Sequence, residues 1–502
     1  MNRRSLVLSA IAWPLAGAAA CTGGGSGAPA GSDGVSTTGA SAPPSPPTLA
    51  DLASALRGPL LTPGDTGYGR ARAVYNARYA GIRPRAVAEP VSEADVAACV
   101  RWAARTGVPL RARSGGHSYA GYSTTTGLVC DLRRLHAISL SPDRRSVTIG
   151  AGCRLIDVVA ALAAHGLAIP TGSCPTVGVG GLVQGGGVGF AARAMGTTSD
   201  NLLAARVVTA DGRLVAADAR SHPDLYWALR GGGGGNFGIA TAFTLATHPV
   251  TRPAYAFVDF PWAAAAAVVA AWQRLAPPAG DDLYLICSLA TGAVGPAVRV
   301  LGQLLSGGEN ALRSLLAPLA AIGGRISSGT ADYLSVQQIW AGCEGATLAA
   351  CGAFRPAAFA ARSDYAAQAF PPAAVDTIVA AVERRQATAA GSGFMLLDPY
   401  GGALNRPAAD ATAFVHRDQL FSCQYGAYWP HPGLAAAASG WLDGLRTAIA
   451  PYVSGQAYQN YIDPTLANWE HAYYGPNLTR LREVRRTYDP DDLFRFPQGI
   501  PL

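Results

Sequence analysis

Arg113-Ser114-Gly115-Gly116-His117-Ser118-Tyr119 places two glycines, a histidine and three hydroxyls within seven residues, just after a predicted strand. Two more glycine-rich loops follow, at 178–189 and 231–238. Glycine lets the backbone approach a ligand closely, and successive backbone N–H groups form anion-binding concavities. Three such loops predict a nucleotide or pyrophosphate site, with plain turns as the alternative. A dinucleotide site of the GxGxxG kind fails, because no such pattern lies between a strand and a helix with an acidic residue about 20 positions on. The Gly178–Gly189 stretch carries too many glycines to open a helix cleanly.

Around these loops the chain alternates strand and helix. Ser92, three residues before Asp95, is a helix-capping signal. Val96, Cys99, Val100 and Ala103 then fall at helical spacing, and Gly107 closes the helix. A second helix is expected over 155–164, and strands over 147–151 and 205–210 before the Asp211-Gly212 turn. Past Pro253 alanine-rich helical runs (263–275, 309–321, 373–386) alternate with strand-like runs (283–289, 394–397, 420–425). From Tyr458 on, glycine and aromatic motifs return. The expectation is an α+β protein in which 49–252 and 456–502 form one domain around an inserted domain, 253–455.

With 502 residues, 49% apolar and 14% charged, the chain has enough material for two cores. The net charge of +7 comes from scattered arginines with no lysine, which does not point to nucleic acid. The histidines lack HExxH or a comparable metal spacing. Arg3 and Arg4 precede an apolar stretch from Leu6 to Ala20, so 1–20 reads as a signal peptide of twin-arginine type. Cys21 is a candidate lipoprotein acceptor, and 21–48 is a flexible tether rich in Gly, Ser, Ala, Thr and Pro. Cys343 and Cys351, separated by a short loop of small residues, are a candidate disulfide in an exported protein.

Arg113–Tyr119 resembles the flavin-attachment loop of the berberine bridge enzyme family, within the vanillyl-alcohol oxidase type of fold. Gly172-Ser173-Cys174-Pro175-Thr176-Val177-Gly178-Val179-Gly180-Gly181 is similar to that family's second attachment stretch. The separation, 174 − 117 = 57 residues, is close to that of doubly attached members. Ser199-Asp200-Asn201, Asn236-Phe237-Gly238, Tyr458-Gln459-Asn460-Tyr461 and Asp489-Pro490-Asp491-Asp492 continue the likeness in order. The resemblance implies FAD bonded to His117 and Cys174. It implies contacts from Arg113, Ser114, Gly115, Gly116, Ser118, Gly178, Gly180, Gly181 and Asn460, with Val177 as a gate residue for oxygen. It puts Tyr461 at the base position and Gln424 beside it. Asp398 and Ser288 are candidates for the substrate pocket. Leu182 and Val188 depart from the family pattern, and Ser422 stands where plant relatives carry lysine or glutamate.

A flavin takes a hydride from a C–H bond whose neighbouring O–H loses its proton, so a base must sit by the hydroxyl. Tyrosine, with a pKa of roughly 10, needs hydrogen bonds or a cation to serve. The expected activity is oxidation of a small-molecule alcohol with oxygen as acceptor. The rivals are a flavin dehydrogenase using another acceptor and a non-catalytic binding protein. If the segment around Tyr461 is extended, Tyr458 points the other way.

Overall fold

The computed structural model describes residues 46–388 and 391–502. The expected signal peptide (1–20), Cys21 and nearly all of the expected tether lie outside the described residues. The first core is built on two sheets. In one, strand Leu128–Asp131 lies parallel to both Ala86–Ala88 and Leu110–Arg113. Helix Glu93–Thr106 makes the crossover between the last two, as parallel pairing requires. Ser92 caps this helix, its hydroxyl accepting from the Asp95 N–H, and Gly107 ends it in the left-handed region at φ 67°. The Asp95 carboxylate does not close a reciprocal box. It accepts instead from the N–H groups of Val91, Arg57 and Gly58, tying the helix to the preceding loop. Burial acts to raise this carboxyl, but those donors and Ser92 hold it below the usual range.

The other sheet of this part has five strands, with Ile239–Ala246 central between Ser146–Gly150 and Leu202–Val208. Its buried side chains and those of the C-terminal stretch, Ala457 to Ile500, pack into one apolar core.

Between these parts of the chain, seven antiparallel strands form one sheet. Its order is Arg325–Thr330, Ala254–Phe260, Ala297–Leu304, Leu283–Ala290, Ser392–Pro399, Phe421–Trp429, Ala358–Ala366. Side chains alternate between faces along each strand. One face (Leu283, Leu285, Cys287, Met395, Leu397, Cys423, Tyr425) packs under helices Ala265–Leu275, Pro372–Ala387 and Ala435–Ile449. The other looks toward the first core through a cluster of Phe190, Tyr284, Trp340, Tyr365, Tyr400, Phe414 and Tyr458.

Two local expectations are corrected. The glycine-rich stretch does open a helix, Val179–Gln184, capped by Gly178, because glycines 178 and 180 are needed there for contact rather than for turning. Residues Gln459–Tyr461 form a 3-10 turn and not an extended segment, so Tyr458 and Tyr461 stay on one side, their rings edge to face at 4.9 Å. The Cys343 and Cys351 sulfurs stand at bonding distance, with Cα atoms 5.3 Å apart. Among the described residues no helix is long and apolar enough to cross a membrane, and no cluster of His, Cys, Asp and Glu could hold a metal ion.

Candidate active site

The three glycine loops converge. A Cβ on Gly178 would stand 2.0 Å from Ser114 Oγ and 2.1 Å from Gly115 N; one on Gly115 would stand 2.3 Å from Gly178 N. The first two loops therefore touch backbone to backbone. The third lies against the same helix, where a Cβ on Gly234 would stand 3.6 Å from the Gly181 Cα, while Gly181 itself looks into open space. Ser114 fastens the first two loops, its hydroxyl donating to the Ala151 carbonyl at 2.5 Å and accepting from the Gly180 N–H at 3.2 Å. The N–H groups of Gly115, Gly116, His117 and Ser118 donate to no protein acceptor among the described residues. Such a run of unpaired amides in a glycine cradle is what a pyrophosphate needs. These residues fit FAD.

His117 stacks on Tyr75, ring centroids 3.8 Å apart, and its Nε2 meets the Thr176 hydroxyl at 2.9 Å. Burial pushes its pKa down to about 3 against a smaller lift from Thr176, so the ring is neutral at pH 7 with a lone pair in hand. Cys174, two residues before Thr176, is the one accessible free thiol among the described residues; Cys99, Cys130, Cys153, Cys287 and Cys423 are buried. Burial nonetheless pushes its thiol up, and its charge would be felt by Tyr75, Tyr119 and Tyr428. A side chain that solvent can reach, yet so enclosed by protein, lines an interior cleft. Thr176 and Tyr75 thus bring His117 and Cys174 to one wall.

Across the cleft, Tyr461 lies parallel to Tyr119 at 5.5 Å. Gln424 donates from Nε2 to the Tyr119 hydroxyl at 2.9 Å. The polar partner expected for Tyr461 thus serves Tyr119, a residue visible in the quoted heptapeptide but not singled out there. Burial, and then Tyr119, Asp398, Tyr458 and Tyr284, push the Tyr461 hydroxyl well above its ordinary value. Asp398 accepts from the Tyr284 hydroxyl at 3.2 Å, and burial lifts its carboxyl to about 7 despite that bond. Ser422 pairs with Asp398 across the strands, whereas Ser288 stands two strands from Gln424, beyond Leu396.

Other predicted residues make contacts within the wall of the site. The Arg113 guanidinium pairs with the buried Asp131 at 2.6 Å and donates to the Ala71 and Arg72 carbonyls. Val177 packs on the first core. The Ser118 hydroxyl accepts from the Tyr122 N–H. Asn460 donates to the Leu182 carbonyl at 3.1 Å and to the Tyr458 hydroxyl at 3.0 Å, and fits only because residue 185 is glycine. Asp463 anchors the turn that carries Tyr461, bonded to Arg362 at 3.1 Å and to Arg446.

Residues 84–218 match the family model described as an FAD binding domain, and 457–501 the model described as berberine and berberine like. The FAD-linked oxidoreductase YgaK of Bacillus subtilis is 32% identical over 89% of this chain and 97% of its own length. A xylooligosaccharide oxidase of Thermothelomyces thermophilus is 30% identical over 83% of this chain and 87% of its own. Among solved structures, BBE-like 1 of Physcomitrella patens superposes with a TM-score of 0.84 at 29% identity, over 91% of this chain and 99% of that one. Cradle, match and superposition agree: the chain belongs to the berberine bridge enzyme-like family of FAD-linked oxidoreductases.

Proposed function

We propose that the protein oxidises a hydroxyl of a sugar or related natural product, with FAD bonded to both His117 and Cys174. The supporting observation is a neutral histidine and, on the same wall of a glycine cradle, the one accessible free thiol among the described residues. The likeness to a xylooligosaccharide oxidase favours a sugar hydroxyl. When bound, FAD supplies the two-electron acceptor for the hydride. The hydroxyl proton passes to Tyr461 once its phenol has itself ionised, a step that its burial opposes, while Gln424 orders the adjacent Tyr119 through its hydrogen bond. Asp398 favours a second reading of the base, since a carboxyl at about 7 accepts a proton near neutral pH without further help. The substrate alcohol becomes a carbonyl, and its two electrons and two protons end on oxygen as hydrogen peroxide.

Trichloroacetic acid should leave the yellow colour in the protein pellet. His117→Ala and Cys174→Ala should each retain one bond, and the double variant none. Release of free FAD from loaded wild-type enzyme would overturn the double attachment.

Val177 is proposed to leave oxygen a path to the flavin. Reduced enzyme mixed with air-saturated buffer should reoxidise rapidly; very slow reoxidation, with fast turnover on an artificial acceptor, would make it a dehydrogenase.

Arg3, Arg4 and the apolar stretch after them support export through the twin-arginine route, with lipidation of Cys21 at the start of the tether. Replacing both arginines by lysine should hold the enzyme inside the cell, and Cys21→Ser should free any membrane-bound fraction. In the exported form Cys343 and Cys351 should resist alkylation until reduced. Unchanged export of the double-lysine variant would point to the general secretory route.

A further inference from the structure

Strand Ala358–Ala366 is the last of the seven, at the edge of the large sheet. The returning C-terminal segment runs along that edge. The Tyr365 N–H donates to the Gln456 carbonyl at 3.1 Å, and the Ser454 N–H to the Tyr365 carbonyl at 2.7 Å. The segment then turns through Gln459–Tyr461, where the Tyr461 N–H donates to the Tyr458 carbonyl at 2.8 Å. Consecutive residues of the strand hold the two ends of that turn. The Ser363 hydroxyl accepts from the Tyr458 N–H at 3.0 Å. The Arg362 guanidinium pairs with Asp463 at 3.1 Å. Successive strand residues point to opposite faces. Ser363 lies opposite Gln424 on the cleft face, and Arg362 opposite Tyr425 on the helix-covered face. The segment therefore wraps the edge of the sheet from one face to the other, with Tyr461 on the wrap.

The grip is reinforced on the helix-covered side. Arg362 and Asp463 are both buried. Arg362 also pairs with Asp443 of helix Ala435–Ile449 at 2.9 Å, and Arg446 of the same helix pairs with Asp463. Thr465 donates to the Asp463 carboxylate from its N–H at 3.0 Å and from its hydroxyl at 2.8 Å. The other end of the strand is fixed to the flavin wall. The Asn76 side chain donates to the Phe359 carbonyl at 3.1 Å and to the Tyr119 carbonyl at 2.8 Å. Tyr75, next to it, stacks on His117. Phe359 and Ser363 stand four residues apart, roughly 13 Å of extended chain. One strand thus spans the gap between the wall assigned to the cofactor and the turn that carries the phenol.

Resting on the reading of Tyr461 as the base, we propose that Arg362 and Ser363 are positioning residues for the reaction, which fix the Tyr461 hydroxyl relative to the His117 wall. Neither has to meet the substrate, because each acts through an end of the turn. A reacting group displaced by about 1 Å can lose on the order of 10²-fold in rate. The inserted domain therefore contributes to proton transfer through the place it gives the base, beyond any contact it makes with the substrate.

The test uses flavin-loaded enzyme, with xylobiose and benzyl alcohol as probes. Anaerobic stopped-flow reduction at rising probe concentration separates the limiting rate from the apparent Kd. Arg362→Gln should lower the limiting rate about 10–100-fold and leave the apparent Kd unchanged. Arg446 and Thr465 still hold Asp463 in that variant, which protects the fold. Arg362→Lys should recover part of the loss. Ser363→Ala should lower the limiting rate by less, and it decides the matter if Arg362→Gln does not fold. Covalent flavin content and reoxidation by air should match wild type in both, because the glycine cradle is untouched. Added to Tyr461→Phe, neither change should slow reduction further, since both act through the same hydroxyl. A merely structural role would lower melting temperature and loading but leave loaded molecules at the wild-type limiting rate, and that result overturns the proposal. A loss carried by Kd alone, or a further loss on top of Tyr461→Phe, overturns it too. A silent Tyr461→Phe removes the base reading and the grip with it, whereas a slow Tyr461→Phe beside silent Arg362→Gln and Ser363→Ala removes only the grip. If benzyl alcohol reduces the flavin and xylobiose does not, the sugar reading fails and the same comparison is made on benzyl alcohol. If neither does, the alcohol reading fails and this one with it.

Discussion

Tyr461→Phe is expected to slow anaerobic flavin reduction by about 10²–10⁴-fold, the usual contribution of a positioned base. The change removes one oxygen and keeps the ring. The parallel contact with Tyr119 at 5.5 Å and the edge contact with Tyr458 at 4.9 Å both survive, so FAD loading and melting temperature should hold. Tyr458→Phe is the control. Its hydroxyl accepts from the Gly187 N–H at 2.7 Å and from Asn460 at 3.0 Å, so its loss strands a buried donor. That variant should lose about 1–3 kcal/mol of stability and little rate.

Asp398→Asn separates the two readings of the base. If the carboxyl takes the proton, wild-type reduction rises with pH through about 7, because the base works only when ionised, and the inflection vanishes in the amide. If Tyr461 takes it, the inflection persists or lies higher. Stopped-flow reduction across pH decides, and a Tyr461→Phe enzyme that reduces at the wild-type rate removes the phenol from the mechanism.

Gly178→Ala is expected to abolish flavin loading altogether. The new Cβ would meet Ser114 Oγ at 2.0 Å and Gly115 N at 2.1 Å, closer than any real Cβ contact, and the second obstacle is rigid backbone. The φ at 178 is −87°, which any residue adopts, so the effect is purely one of space. Gly181→Ala is the informative partner. Nothing lies within 4 Å of its Cβ position, so the apo protein should fold with an unchanged melting temperature. Its methyl group would point into the space assigned to the cofactor and should weaken loading. Full FAD content in Gly181→Ala would move the phosphates away from this helix; full content in Gly178→Ala would mean that the two loops need not touch.

Several features are legible in the sequence because their causes are local. Ser92 and Gly107 bracket a helix through a hydroxyl and a left-handed φ, both encoded at single positions. The glycine loops predict close backbone approach, and that is what unites Gly115 with Gly178 and Gly181 with Gly234. The sequence misleads where the deciding partner is remote along the chain. Glycines 178–181 look like turn residues until the loop at 114–115 packs on them and makes the helix tolerable. Tyr458 and Tyr461 have opposite parity only in a strand, and the Asp463 clamp on Arg362 and Arg446 favours a tight turn instead. Gln424 misses Tyr461 because the intervening ring, Tyr119, comes from 305 residues earlier. The grip of Arg362 and Ser363 on the turn around Tyr461 could not be read at all, because it exists only once the returning segment has passed the edge of the sheet.

The cradle is assembled from both ends of the chain. Its third glycine loop is held by late residues: Gly231 by Gln459, Gly232 by Tyr474, and Asn236 by the Ile500 N–H. At ~5–20 residues per second, a ribosome making the strands and helices from Ala254 to Ile449 spends on the order of 10–40 s before those partners emerge. Throughout that interval the first core lacks Ala457, Tyr473, Leu481 and Phe494, and its apolar surface stays uncovered. Capture of the cofactor must therefore wait until residues 457–500 have been made, and nascent chains stalled before residue 457 should depend on chaperones to avoid aggregation.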